Sequence, residues 1–183
     1  MKRMLAVLTL AALAAACSPS DGDTTQDGIE APSGLLPAGP ETEAAPVAIA
    51  DLPPAVAALV QQTIPGMTIT EVERKAREGR VYYDVEGARP GGEAVELDIQ
   101  QTGDRFEVVE IQRDIAFADM PAPVQAAARA ATGAFAPARI IESRQTDDSV
   151  IYELFAPGQP AEPAMEVRLK DGKAEVLTER WPH

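Results

Sequence analysis

The sequence predicts an α+β fold made of two repeats. Each repeat is one helix followed by an antiparallel four-stranded sheet, and the two sheets can join into one larger concave sheet. Three observations carry this reading. Four short blocks recur in the same order at nearly constant spacing. Asp51-Leu52-Pro53-Pro54-Ala55-Val56 returns as Asp119-Met120-Pro121-Ala122-Pro123-Val124, 68 residues later, and Val81-Tyr82-Tyr83-Asp84-Val85 returns as Val150-Ile151-Tyr152-Glu153-Leu154, at an offset of 69. Ala94-Val95-Glu96-Leu97 returns as Ala164-Met165-Glu166-Val167, and Thr102-Gly103 as Asp171-Gly172. A fixed-period recurrence of this kind marks an internal duplication. The other two observations are hydrophobic periodicities, helical at the start of each copy and period-two through the rest.

Taken in chain order, residues 1–16 read as a signal peptide. Met1-Lys2-Arg3 is a basic start, and the apolar run from Met4 to Ala15 is too short to span a bilayer as a helix. The run closes with Leu13-Ala14-Ala15-Ala16-Cys17, which resembles the lipobox of bacterial lipoproteins. That resemblance implies that Cys17 becomes a diacylated N-terminus, with Ala14 standing where the family usually has Leu. An ordinary cut after Ala14-Ala15-Ala16 is the alternative. A lone exposed thiol would be a liability in an oxidising compartment, which favours lipidation. Ser18, rather than Asp, follows the cysteine, which tilts the location toward the outer membrane. Residues 17–50 read as the lipidated cysteine and a disordered tether. Residues 18–50 carry five Pro, four Gly and six acidic residues, without Lys, Arg or an aromatic ring. Such a segment buries too little apolar surface to offset its ordering entropy. Leu35-Leu36 is read as incidental.

The first repeat is assigned to residues 51–117 and the second to 118–183. Leu52, Val56, Leu59, Val60 and Ile64 share one helix face, with Asp51 as its expected cap and Pro65-Gly66 as its stop. Met120, Val124, Ala127, Ala128 and Ala131 do the same after Asp119, and Gly133 is the expected terminator. Strands follow where Val81, Tyr83 and Val85 alternate with Tyr82, Asp84 and Glu86, and where Val95, Leu97 and Ile99 alternate with Glu96, Asp98 and Gln100. The second copy repeats this with Val150, Tyr152, Leu154, Met165, Val167 and Leu169. Strict alternation means antiparallel sheet with one buried face. Gly103-Asp104 and Asp171-Gly172 read as hairpin turns into strands over 106–112 and 173–180, and weaker strands are expected over 68–75 and 139–145.

The helix start Asp-Leu-Pro-x-x-Val, the Tyr-x-Val strand and the late Gly-containing turn resemble the PepSY-like family, in two copies over residues 51 to about 181. Tandem units of this kind also look like the beta-lactamase-inhibitor-protein architecture. The resemblance implies a secreted or membrane-attached protein with a tendency to bind or inhibit peptidases and other envelope enzymes, and it carries no catalytic set.

Composition narrows the chemistry. The chain has 183 residues, 16 basic against 29 acidic side chains and a net charge of −13. That argues against nucleic acid, whose phosphates need clustered Lys and Arg. One Cys and one His (His183) exclude an intramolecular disulfide framework and a multi-thiolate or His-rich metal site. Ser143 and Ser149 lie beside Arg144 and Asp148 without a Gly-x-Ser-x-Gly elbow. Asp147-Asp148 and Asp21-Gly22-Asp23 lack the ligand spacing of a calcium loop, and Gly91-Gly92 reads as a turn. No catalytic residue, metal or cofactor is expected.

What remains is a surface. If the helices cover one sheet face, the other carries Tyr82, Asp84, Glu96, Asp98, Ile151, Phe155, Glu166 and Arg168. Tyr82, Ile151 and Phe155 are apolar where the alternation calls for polar residues. The expected role is therefore a non-catalytic envelope lipoprotein facing the periplasm, held to the membrane through Cys17, whose helix-free face binds an envelope protein such as a peptidase. The alternative is a structural component of an envelope assembly. Trp181 is either an edge anchor or a lid on the second core, with the core preferred.

Overall fold

The computed structural model describes residues 36–158 and 161–182. Cys17 and the expected signal peptide lie outside the described residues. The described chain is α+β, with nine strands and two α-helices. The strands are β1 (Glu43–Pro46), β2 (Thr68–Arg77), β3 (Arg80–Ala88), β4 (Ala94–Thr102), β5 (Arg105–Asp114), β6 (Arg139–Gln145), β7 (Val150–Phe155), β8 (Met165–Lys170) and β9 (Lys173–Val176). The helices are α1 (Pro54–Thr63) and α2 (Ala122–Ala130). All nine strands form one open antiparallel sheet in sequence order.

Each helix is entered in the same way. A short 3-10 turn, Ile49–Asp51 or Phe117–Asp119, leads through an extended Leu52 or Met120 to Pro53 or Pro121 at the cap. Asp51 and Asp119 therefore lie in the 3-10 turns and cap nothing, contrary to the sequence expectation. The prolines supply the entry instead, because their fixed φ suits the first helical turn and their missing N–H costs nothing there. Gly66 (φ +80°) and Gly133 (φ +77°) take the left-handed conformation just beyond the two helices.

The helices lie on the same sheet face over two separate cores. Leu52, Val56, Val60 and Ile64 pack with Val72, Tyr83, Val85, Val95, Leu97 and Ile99. Met120, Val124 and Ala128 pack with Ile140, Tyr152, Leu154, Met165 and Val167. Tyr83 and Tyr152 thus face the helix side, as the alternation predicts. Gly87 is required where β3 meets an irregularity in β2, between Ile69 and Glu71. A Cβ there would stand 2.3 Å from the Thr68 carbonyl oxygen.

The segment expected to be tether is not wholly without structure. β1 pairs with β2, and Val47 N–H donates to the Val72 carbonyl at 2.8 Å. Leu36 is buried and its N–H donates to the Ala164 carbonyl, while Gly39 N–H donates to the Glu162 carboxylate. Arg180 Nε donates to the Pro37 carbonyl. Residues 36–46 therefore run from the start of β8 to the edge of β2. Leucine burial and backbone pairing order a stretch whose composition alone predicts disorder.

β9 ends at Val176, short of the expected 180. The chain then folds back across the helix-free face. Leu177 N–H donates to the Glu166 carbonyl and Trp181 N–H to Glu166 Oε2.

Candidate functional site

The helix-free face is concave and largely enclosed. One cavity of about 180 Å³ touches Thr70 on β2, Glu86 and Glu96 on β3 and β4, Gln112 on β5, and Arg139 and Ile141 on β6. Strands lie ~4.7–4.9 Å apart, so β2 and β6 would be nearly 20 Å apart in a flat sheet. A cavity this small reaches both only because the sheet curls around it. A second cavity of about 200 Å³, at the other end of the strands, is lined by Tyr82, Gln100, Val109, Glu110, Gln145 and Trp181, among others.

This curvature corrects the expectation of an exposed binding face. Tyr82, Asp84, Asp98, Ile151, Phe155 and Glu166 are all buried, and Ile151 is fully so. Tyr82 and Phe155 are capped by guanidinium groups, Arg77 at 5.6 Å and Arg139 at 5.4 Å from the ring centroids. The apolar residues out of phase with the alternation are therefore a second, inner packing layer. Arg168 lies over the Trp181 ring and donates to Asp147 Oδ2 at 3.1 Å. Glu96 keeps partial exposure, in the first cavity. Trp181 sits on this face rather than on the second helix core, and its Nε1–H donates to Gln145 Oε1 at 2.9 Å.

The curled sheet brings like charges together. Asp84 lies directly opposite Asp98, Glu86 opposite Glu96, Asp98 opposite Glu110 and Glu153 opposite Glu166. Directly opposed like charges destabilise an antiparallel pair. Lys75, opposite Tyr82 on β2, forms a salt bridge with Asp84. An oxygen from each of Asp84, Glu96 and Asp98 lies within 4.8 Å of the other two. Beyond this cluster a hydrogen-bond chain crosses the face. Gln112 donates to Glu110 Oε2 at 2.8 Å and to Asp98 Oδ2 at 3.4 Å; Ser143 Oγ donates to Glu110, and Gln145 Nε2 to Ser143.

The electrostatics follow from burial. Asp98 is held well above the usual carboxylate range by desolvation, reinforced by Asp84, Glu110 and Glu96. Glu96 is pushed up to about 7 by burial and by Asp84, against the pull of Lys75. Asp84 is raised by burial, although Lys75 opposes the shift. Burial works against the Lys75 ammonium, yet Asp84, Asp98 and Glu96 together raise it above its ordinary value.

Sequence reasoning did not place Lys75, Glu110, Gln112, Glu153 or Gln145 in the site. Glu110 was hidden by a bulge. Opposite the step from Asp98 to Ile99, β5 goes from Glu110 to Val108 and leaves Val109 unpaired. The extra residue lets Phe106, Val108 and Ile111 all pack on the helix-side core while Glu110 faces Asp98. The adjacent Val108-Val109 pair, which breaks the period of two, is the visible signal.

No family model matches the chain, and no curated protein is similar to it. Among the described residues, no helix is long and apolar enough to cross a membrane.

Proposed function

We propose that this is a lipid-anchored envelope protein, facing the periplasm, that binds a basic segment of a partner protein at the open ends of its acidic concave face. The observation that carries the reading is the accumulation of Asp84, Glu86, Glu96, Asp98, Glu110, Glu153 and Glu166 on one sheet face. Glu86 is exposed, and Glu96, Gln100 and Gln112 are half-buried, so the two cavity mouths offer acceptors to an incoming cation. Acidic mouths with low-dielectric walls focus the field and speed encounter with a basic partner. Buried Tyr82, Ile151 and Phe155 hold the curvature rather than touching the partner. The anchor at Cys17 and the outer membrane come from the sequence.

The internal recurrence, the shared 3-10–proline–helix entry and the equivalent tyrosines Tyr83 and Tyr152 favour two copies of one PepSY-like unit, each a helix and four strands, with β1 added at the edge. On that reading the partner is an envelope enzyme, a peptidase for example, that carries a basic patch. A structural role in an envelope assembly is the second reading. Its support is β1, whose four residues are all exposed along an outer strand edge.

Site-specific photo-crosslinking in envelopes tests the proposal. A crosslinker at Glu86 or Gln100 is expected to give an adduct that salt weakens and that Glu86→Lys in the Gln100-labelled chain reduces. A crosslinker at Gln62, exposed on α1, is expected to give none. Equal capture at Gln62, or indifference to Glu86→Lys, would move the interface off this face. A salt-resistant stoichiometric complex through residues 43–46 would favour the structural role.

A further inference from the structure

We propose that Asp84, Glu96 and Asp98 form a binding site for a single divalent, oxygen-preferring cation of the calcium class, for which Lys75 is the resident substitute. The inference stands on the geometry of the three carboxylates and does not require a protein partner.

The three side chains come from neighbouring strands. Asp84 lies on β3, with Asp98 opposite it and Glu96 one pleat away on β4. One oxygen from each lies within 4.8 Å of the other two. Ca²⁺ accepts oxygen ligands at ~2.3–2.6 Å in flexible geometry, whereas Mg²⁺ at ~2.0–2.1 Å demands a near-ideal octahedron, so carboxylates fixed on two neighbouring strands suit the larger ion better. The set contains only carboxylates, which suits a hard cation rather than a soft one.

A cluster of acids is not enough to make a site. The second observation is the state of Asp98, which is nine-tenths buried, with 9% of its surface exposed. Its Oδ2 receives only the 3.4 Å hydrogen bond from Gln112, and its Oδ1 receives none. A shielded carboxylate oxygen without a donor is costly and calls for an explanation. A cation among the three carboxylates would satisfy it. Lys75 meets the cluster from one side, through Asp84, and brings a single charge. Its side chain keeps 35% exposure, so it can swing into solvent when a doubly charged ion takes over. Water from the adjoining cavity, which Glu96 lines, would complete the coordination.

The test uses the purified full chain, stripped with chelator and titrated with CaCl₂ at constant ionic strength, with MgCl₂ in parallel. Calorimetry is expected to show one saturable Ca²⁺ site, weaker for Mg²⁺, and Ca²⁺ is expected to raise the Tm by a few degrees, since a ligand of the native state stabilises it. Asp98→Asn keeps the shape and removes a buried charge. It is expected to fold at least as stably as wild type in chelator and to lose at least about tenfold in Ca²⁺ affinity. Lys75→Met is expected to lower the Tm in chelator and to bind Ca²⁺ more tightly, since the competing ammonium is gone. Absence of saturable Ca²⁺ binding by the wild type overturns the proposal. So does an Asp98→Asn chain that binds Ca²⁺ with wild-type affinity, which would place the ion elsewhere, at Asp147 and Asp148 for instance.

Discussion

Asp84 and Asp98 face each other across β3 and β4 on the enclosed side of the sheet, with the Lys75 ammonium bound to Asp84 and not to Asp98. The pair is asymmetric. Asp84 has a counter-ion, whereas Asp98 has a long hydrogen bond from Gln112 and three carboxylates around it, Asp84, Glu96 and Glu110.

That asymmetry predicts opposite effects for two similar substitutions. In chelator at pH 8, Asp98→Asn relieves like-charge repulsion and is expected to leave stability unchanged or raise it by about 1–2 kcal/mol. Asp84→Asn strips Lys75 of its partner and is expected to cost about 1–3 kcal/mol. Urea unfolding at matched ionic strength measures both. The assignment fails if Asp98→Asn is the more damaging of the two.

The raised carboxyl groups set a pH dependence. Glu96 titrates near 7 when folded, against 4.5 as its ordinary value, and it is faced by Asp84 and Glu86, which raise it, and by Lys75 and Arg139, which lower it. Between those values the folded chain holds more protons than the unfolded chain, so stability falls as pH rises. The contribution is full below pH 4.5 and is lost as the pH passes through 7, with at most about 3 kcal/mol from Glu96 alone. Asp98, raised by burial and by Asp84, Glu110 and Glu96, adds to the decline in the same direction. At the acid end Glu142, held down by Arg113 and Arg144 against its own burial, loses its contribution as pH falls below the ordinary carboxylate range. Stability without divalent cations is therefore expected to peak near pH 5 and to decline by pH 8. Denaturant midpoints across that range check it, and a flat or rising profile would contradict the burial of Glu96 and Asp98.

The strands were legible because Val81, Tyr83 and Val85, like Val150, Tyr152 and Leu154, keep strict alternation, which depends only on one face meeting a helix. β2 and β6 were expected only as weaker strands, because Arg74 beside Val72 and the adjacent Ile140 and Ile141 break the alternation. The second buried face was not legible. Whether Asp84 and Ile151 face water or one another depends on the curl of the whole sheet, and neighbouring residues do not encode that. The apolar residues on the wrong face, Tyr82, Ile151 and Phe155, were the trace of it, but they fit a docking surface equally well. Trp181 was misplaced because its contacts, Gln145 and Glu166, come from strands 36 and 15 residues away.

Tyr83 and Tyr152 give a direct measure of the two helix-side cores. Tyr83 packs edge-on against Phe106, with centroids 6.0 Å apart, and Tyr152 is buried beside Glu142, its hydroxyl pushed up to about 12 by burial and by that carboxylate. Truncation of either to Ala is expected to cost about 3 kcal/mol or more in chemical denaturation. A loss below about 1 kcal/mol at both would show that neither ring is core.

Cys17 is the sequence's one candidate for acylation. Cys17→Ser is expected to release a soluble form or to stall signal-peptide removal, because acyl burial contributes ~0.8 kcal/mol per methylene to anchoring. Fractionation with mass spectrometry of the N-terminus distinguishes the outcomes. A mutant that is cleaved normally and still sediments with membranes would exclude a lipid anchor at this position.

Trp181 closes one end of the concave face, and it is the chain's single tryptophan, so its emission reports on that face alone. Its backbone N–H binds Glu166 at 2.7 Å, its indole N–H binds Gln145, and Arg168 stacks on the ring. Trp181→Phe keeps an aromatic ring and loses the Gln145 hydrogen bond, so it is expected to cost about 1 kcal/mol. Trp181→Ala also removes the apolar cover over Arg168 and is expected to cost about 2–3 kcal/mol. The damage should be local. Hydrogen exchange is expected to accelerate in β7 and β8, around Ile151 and Glu166, while α1 and its core at Val56 and Val60 keep their protection. If protection is instead lost first around α1, or the Ala variant exchanges like wild type, the tail makes no stabilising contact with this face.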